Sequence, residues 1–272
     1  MAHLKGSLSI NPWRDIPLLR QVLCSTVVSH SQLFEFMMLG NYESKRDAFN
    51  WRLRRLVEYS LVSRQVISQA SPEALYAITA SGSLCLESHG DFYLSESPFL
   101  TGKRLEGVSI CHCLQLNNIQ LALLRTKHLN QWIPEARLLA LMRLGTSPYA
   151  KAYDAVVELL LESRLIRFGL EYEHTLKSAR RYGEICEALE GERNLERVLY
   201  LTPSRELITA LARHLRGCRR RIVFALVDEL KENPLESRVF LDGHLSLRTL
   251  RHLLLEVPVR FQESLPFQPA EK

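Results

Sequence analysis

Residues 165–177 read Leu-Ile-Arg-Phe-Gly-Leu-Glu-Tyr-Glu-His-Thr-Leu-Lys, and this stretch carries the strongest indication of fold and function. Its alternating apolar residues predict a β-strand on which Glu171 and Glu173 point to the same face. Asp154 stands at the start of a second apolar run, residues 155–161, so a hairpin of the two runs would bring a third carboxylate beside the pair. Carboxylates that converge from neighbouring strands hold hard cations such as Mg²⁺ next to a phosphodiester.

The composition is that of a folded protein. The chain has 272 residues, enough for two domains, with 46% hydrophobic and 24% charged residues and a net charge of +5. No apolar run reaches membrane-spanning length and the first twelve residues lack the apolar core of a signal peptide, so we expect a cytoplasmic protein without membrane contact. Six scattered cysteines are expected to be reduced core residues rather than a disulfide framework.

The first ninety residues predict a compact helical unit that ends in a hairpin. Ser29 or Ser31 is expected to cap the second helix, and Gly40-Asn41 to end it. The third helix carries a buried stripe of Phe49, Leu53 and Leu56 at i, i+4 and i+7. The predicted helices are residues 15–25, about 30–39 and 44–59, and the strand-like runs are 61–66 and 74–78, joined by a turn at 71–73 and followed by a short helix after 79–82.

Polar and cationic side chains accompany that stripe along the third helix. Arginine and lysine neutralise phosphate or read guanine, and asparagine pairs with adenine. The alternative is an ordinary solvated helix face on a protein-docking or dimerisation module. The candidate DNA-binding residues are Ser44, Lys45, Arg46, Asn50, Arg52, Arg54 and Arg55.

Three helices, a hairpin and a Thr-x-x-Gly exit are typical of a winged helix-turn-helix, and the stretch from Pro17 to Glu87 resembles that family. The resemblance implies that the helix at 44–59 enters the major groove of double-stranded DNA while the hairpin touches the backbone.

The remaining chain predicts an α/β domain. Residues 89–109 contain glycine, proline and polar residues without periodicity, which indicates a linker or arm. Beyond it, strands alternate with helices over residues 110–228, which predicts a mixed sheet covered on both faces. The expected fold class is therefore α+β and α/β, with a winged helix-turn-helix at 1–88 followed by the sheet domain. Residues 229–272 are expected to form a helix at 245–257 and a frayed tail.

The whole pattern resembles the replication-relaxation family of mobile-element proteins, over most of residues 15–227. The resemblance implies a winged helix-turn-helix joined to a divergent restriction-endonuclease-like core. It rests on His112 at a helix head, Asn117-Asn118, Trp132 with Glu135, Asp154, the strand 170–173, Lys177 and Tyr182.

The family resemblance implies catalytic roles. Asp154 and Glu171 match two carboxylates that hold Mg²⁺ or Mn²⁺ in active members. Glu173 replaces the usual lysine and Tyr153 the usual proline, while Lys177 would supply the missing positive charge from the following helix. The alternative is a solvated strand face whose glutamates pair with Lys177, Arg180 or Arg181.

Other site types are poorly supported. Cys111-His112-Cys113 lacks the second ligand pair of a zinc site, and phosphate-loop, Rossmann and Ser-His-Asp motifs are missing. We therefore expect a DNA-binding protein of a plasmid or other mobile element, acting in replication, mobilisation or regulation, with a degenerate nuclease-like core. The alternatives are an active metal-dependent endonuclease or relaxase-like nickase, and a protein-docking adaptor without DNA contact. Besides double-stranded DNA, the expected partners are a second copy of the chain or other mobile-element proteins.

Overall fold

A computed structural model of the chain describes residues 9–65, 73–91, 110–195 and 197–256, and at residues 65 and 219–221 it describes the backbone alone. Most of the turn predicted at 71–73, residues 92–109 of the predicted linker and the predicted tail from 257 onward lie outside the described residues. Within the described ranges, no helix combines the length and apolar character needed to cross a membrane.

The first half is a helical unit with a small sheet. Ser29 caps the second helix, because its hydroxyl accepts the Gln32 N–H at 3.3 Å while the Gln32 side chain accepts the Ser29 N–H at 3.2 Å. Thr79 caps the fourth helix in the same way, as an acceptor for the Gly82 N–H at 3.0 Å. The elements are α1 Asp15–Ser25, β1 Val28–Ser29, α2 His30–Leu39, α3 Arg46–Glu58, β2 Val62–Gln65, β3 Leu75–Ile78 and α4 Ala80–Glu87.

The apolar stripe of α3 lies in the core of this unit, as predicted. Phe49, Leu53 and Leu56 are buried against the leucines and phenylalanines of α1 and α2. The three short strands pair in the antiparallel order β1-β3-β2 beside the helices.

The second half contains α5 Ile110–Arg125, β4 Leu129–Pro134, α6 Glu135–Arg143, β5 Ala155–Leu161, β6 Arg164–Tyr172, α7 Ala179–Gly191, β7 Val198–Thr202, α8 Arg205–His214, β8 Ile222–Leu226, α9 Val227–Glu232, β9 Arg238–Leu241, β10 His244–Thr249 and α10 Leu250–Leu255. A 3-10 helix, Arg216–Arg221, precedes β8. The apolar run at 136–141 lies within α6.

The mixed sheet expected from the sequence is confirmed. Its described part has seven strands in the order β10-β9-β8-β7-β6-β5-β4. β6, β7 and β8 run parallel, connected through α7 and α8, and the other neighbours are antiparallel. Side chains of β7 alternate between two cores: Leu199 and Leu201 pack with α5, α9 and α10, whereas Val198 and Tyr200 pack with α7 and α8. Both faces are therefore covered.

The helix expected at residues 245–257 is only partly present. Residues 245–249 belong to a strand, and only Leu250–Leu255 is helical. Asp242 and Gly243 both adopt positive φ, the conformation of a tight hairpin turn, and they join β9 to β10. The sheet thus continues past residue 228, where the sequence suggested that the α/β domain ends.

Helix α5 joins the two halves. Leu121 packs into the core of the helical unit, whereas Ile119 and Leu123 pack onto the seven-stranded sheet. Two buried amides reinforce the contact, because the Asn117 side chain donates to the Val27 carbonyl at 2.8 Å and the Gln32 side chain donates to the Leu114 carbonyl at 2.8 Å.

Candidate functional site

The carboxylates singled out in the sequence meet at one end of the β5–β6 hairpin. The antiparallel register pairs Ala155 with Leu170, so Asp154 stands across from Glu171. Glu173 follows β6 directly, and its backbone N–H continues the ladder to Leu201 at 2.9 Å. Glu171 and Glu173 are only 6% and 4% exposed, so the alternative of a solvated strand face does not hold, although one ion pair expected with it, Glu173 with Lys177, is present.

Each buried glutamate has its own lysine. Lys151, from the irregular stretch before β5, forms an ion pair with Glu171, and its ammonium also lies 4.3 Å above the Tyr153 ring. Lys177 lies 2.7 Å from Glu173. Lys177 precedes α7, which begins after the cap residue Ser178, so the expectation that it comes from the helix itself is wrong by two residues. The arginines of α7 pair instead with Glu184.

Asp154 is held by groups other than lysine. Its Oδ2 accepts the backbone N–H of Tyr172 at 2.7 Å, and its Oδ1 lies 3.3 Å from Nε2 of His112, near the start of α5. The His112 ring also lies against Tyr172, with 5.4 Å between centroids. Helix α5 thereby places His112 beside the hairpin. In the sequence, only the family resemblance pointed to this residue.

The charges in this cluster shift one another's pKa. Burial, opposed by Lys151 and reinforced by the charge of Asp154, raises the pKa of Glu171 to about 7. Burial alone would lower the pKa of His112, but the hydrogen bond and charge of Asp154 raise it above its ordinary value. For Lys177, burial also acts downward, and its contact with Glu173 and the nearby Glu171 raise the pKa overall.

Glu135 extends the acidic cluster from the first turn of α6. Its backbone N–H donates to the Asp154 carbonyl at 3.1 Å, which anchors the helix start beside the hairpin. Although the Glu135 side chain is exposed, partial desolvation and the charge of Asp154 raise its pKa, against the opposing charges of His112, Lys151 and Lys177. Four carboxylates therefore face two lysines and one histidine.

The metal expected at Asp154 and Glu171 does not fit the cluster as it is arranged. Among the described residues, no group of three or more His, Cys, Asp or Glu side chains is placed to hold a metal ion. The Lys151 ammonium already pairs with Glu171, and both oxygens of Asp154 lie against other donors. A shared cation would have to compete with Lys151 for Glu171 and with His112 and the Tyr172 N–H for Asp154.

Zinc at Cys111-His112-Cys113 is also disfavoured by the geometry. Cys113 is buried in a small apolar cluster, whereas Cys111 is exposed, so the two thiols lie in different environments. His112 is directed to Asp154.

The candidate DNA-binding residues separate into three groups. Ser44, Lys45, Arg46 and Arg54 are exposed, although the first two precede α3, which begins at Arg46. The guanidinium of Arg46 lies 4.3 Å above the Phe34 ring.

The half-buried Asn50 and Arg55 have partners within the unit. Asn50 lies 2.9 Å from Nε2 of His30, and Arg55 stacks over the exposed Trp51 ring at 4.5 Å. Arg55 therefore presents its charge at the surface on an aromatic support.

Arg52 does not belong with the surface residues. It is 8% exposed, and its guanidinium donates to the buried carboxylate of Asp15 at 2.8 Å. The prediction that Arg52 contacts DNA is therefore wrong, because its side chain is buried in the core of the helical unit and pairs with Asp15 there.

Comparison of the chain with protein-family models, with curated proteins and with solved structures finds no match in any of the three.

Proposed function

We propose that this chain is a cytoplasmic, double-stranded-DNA-binding protein of a plasmid or other mobile element, acting in replication, mobilisation or regulation. The observation that carries the proposal is the set of cationic side chains at the surface of α3 and on the residue that precedes it. Lys45, Arg46 and Arg54 are exposed, and Arg55 stacks on exposed Trp51, while the apolar stripe of the same helix is buried. Exposed cations on a helix held rigidly by its other face are the electrostatic requirement for reading DNA.

The arrangement of the helical unit supports a winged helix-turn-helix as the DNA-binding module. The order α1-β1-α2-α3-β2-β3 and the sheet order β1-β3-β2 place a hairpin after the third helix, where a wing would lie. In such a module the third helix enters the major groove and the hairpin contacts the phosphate backbone. A dimer of the chain, or a complex with other mobile-element proteins, would be compatible with this role.

The first prediction tests the α3 surface. Replacing Arg46 and Arg54 together by alanine is expected to weaken binding of a DNA duplex roughly tenfold or more, and to reduce the salt dependence by about one unit of slope per lost phosphate contact. Fluorescence anisotropy at several salt concentrations measures both effects.

The matched control removes the same charge elsewhere. Arg180→Ala with Arg181→Ala also deletes two exposed arginines, from α7. We expect this control to bind DNA like the unaltered chain. Equal affinity of all three proteins would instead favour the protein-docking adaptor, because α3 would then make no contact with DNA.

For the sheet domain we propose a nuclease-like core that no longer cleaves, in keeping with the resemblance to the replication-relaxation family. The ion pair between Lys151 and Glu171 supports this, since it neutralises the carboxylate that a catalytic metal would need. The core would then serve to assemble or position the DNA-binding unit.

A second candidate function is metal-dependent nicking, favoured by the position of Asp154 across from Glu171. We expect no nicked product when the unaltered chain is incubated with supercoiled plasmid and Mg²⁺ or Mn²⁺. Nicking that disappears in both Asp154→Ala and Glu171→Ala, but persists in Asp228→Ala, would establish the active enzyme instead. Asp228 is a suitable control because it is an exposed aspartate of α9, paired with Lys231.

A further inference from the structure

A cavity of about 220 Å³ opens beside the carboxylate cluster, where the end of α1 meets α5, β4 and α6. Its walls include His112 and Asp154, but not the lysine-paired Glu171 and Glu173. A volume of this size accommodates a small organic molecule rather than a single water. The cavity also lies at the contact between the helical unit and the sheet domain, a common position for ligand sites.

The walls combine carboxylates with apolar surface. Glu135 lines the cavity and is exposed, and its side chain has no hydrogen bond or ion pair within the part of the chain that the structure describes. Leu116, Trp132 and Leu139 form apolar walls, and Leu139 is 39% exposed despite its size. A ligand that places a hydrogen-bond donor against Glu135 and covers the leucine and indole surface would match both features of the lining.

The charged residues of the lining indicate whether the cavity suits an anion, a metal ion or an organic cation. Glu135 and Asp154 oppose an anion. Two basic residues also line the cavity: His112 is bound to Asp154 and offsets its charge, and Arg143 lies at the opposite end of α6, about 12 Å along the helix axis from Glu135. Glu135 is therefore the carboxylate that remains to attract a cation. A bare metal ion is disfavoured because both oxygens of Asp154 already face donors from Tyr172 and His112. A metal ion would also leave the apolar walls uncovered.

We propose that this cavity binds a small organic cation, with its ammonium group against Glu135 and its apolar body against Trp132, Leu116 and Leu139. The Glu135 carboxylate supplies a charge-assisted hydrogen bond, and the indole ring of Trp132 favours a cationic or aromatic neighbour. The site is independent of the proposed DNA contact, because it uses no residue of α3.

The test compares three probes of similar shape. Phenethylamine carries an ammonium, 2-phenylethanol a neutral hydroxyl, and 3-phenylpropionate a carboxylate. Isothermal titration of the full chain at pH 7 is expected to show that the amine binds roughly tenfold or more tightly than the alcohol, since a charged hydrogen bond separates them, and that the carboxylate does not bind. Equal affinity for amine and alcohol, or no binding of the amine, would overturn the proposal.

Two variants locate the binding. Glu135→Gln keeps the shape of the side chain and is expected to remove the preference for the amine while the alcohol still binds. Glu187→Gln makes the same change at an exposed position of α7 and should leave all affinities unchanged. Undiminished preference for the amine in Glu135→Gln would show that the cation binds elsewhere, and so refute the site.

Discussion

Replacement of Arg52 by alanine is expected to lower the free energy of unfolding by about 3–5 kcal/mol. The change leaves the carboxylate of Asp15, which is 2% exposed, without the guanidinium that donates to it at 2.8 Å. Glu43, 3.8 Å from the same arginine, would lose a second favourable interaction. Urea denaturation followed by circular dichroism measures the loss.

The neighbouring Arg54 provides the control, since it is exposed on the same helix. Arg54→Ala is expected to change the free energy of unfolding by no more than about 0.5 kcal/mol. Similar stability of the two variants would mean that the ion pair of Arg52 contributes nothing, and Arg52 would then have to be reconsidered as a surface residue.

Leu53→Ala is expected to destabilise the chain by about 2–5 kcal/mol, because it opens a cavity between Phe49, Leu56 and the helices α1 and α2. Leu53 is 2% exposed, whereas Leu84 of α4 is 63% exposed. The same leucine-to-alanine change at Leu84 should therefore have little effect on thermal unfolding. A melting temperature for Leu53→Ala equal to that of the unaltered chain would contradict the packing of α3 described above.

Several helices and strands could be predicted because residues close together in the sequence determine where they form. The capping box of Ser29 and Gln32 specifies the start of α2, and the alternation at 165–172 specifies β6. The hairpin of β5 and β6 followed from two adjacent apolar runs, and it placed Asp154 across from Glu171 as expected.

The burial of Arg52 could have been recognised in the sequence. Positions 49, 52, 53 and 56 form the full i, i+3, i+4, i+7 pattern of a buried helix face, so Arg52 falls within the stripe. A cation there requires a buried anion, and Asp15 in the first turn of α1 supplies it. The β9–β10 hairpin had a similar signal in Asp242-Gly243, which the leucine-rich sequence after it obscured.

Of the two lysines of the site, Lys177 was predicted and Lys151 could not have been. Lys151 lies in an irregular stretch without periodicity, and its contact with Glu171 spans 20 positions of the chain. Likewise, His112 meets Asp154 across 42 positions, through the packing of α5 on the sheet. Such contacts depend on tertiary packing, which spacing along a single sequence does not encode.

The position of α5 determines how the protein can be divided. Residues 1–91 and 110–256 look separable along the chain, yet Leu121 of α5 completes the core of the first segment while Ile119 and Leu123 complete that of the second. A fragment that ends before α5 would expose the apolar surface that Leu121 covers, and would lose the amide contacts of Val27 and Gln32. We therefore expect the two halves to unfold as one cooperative unit, so that loss of a core contact in one half also destabilises the other.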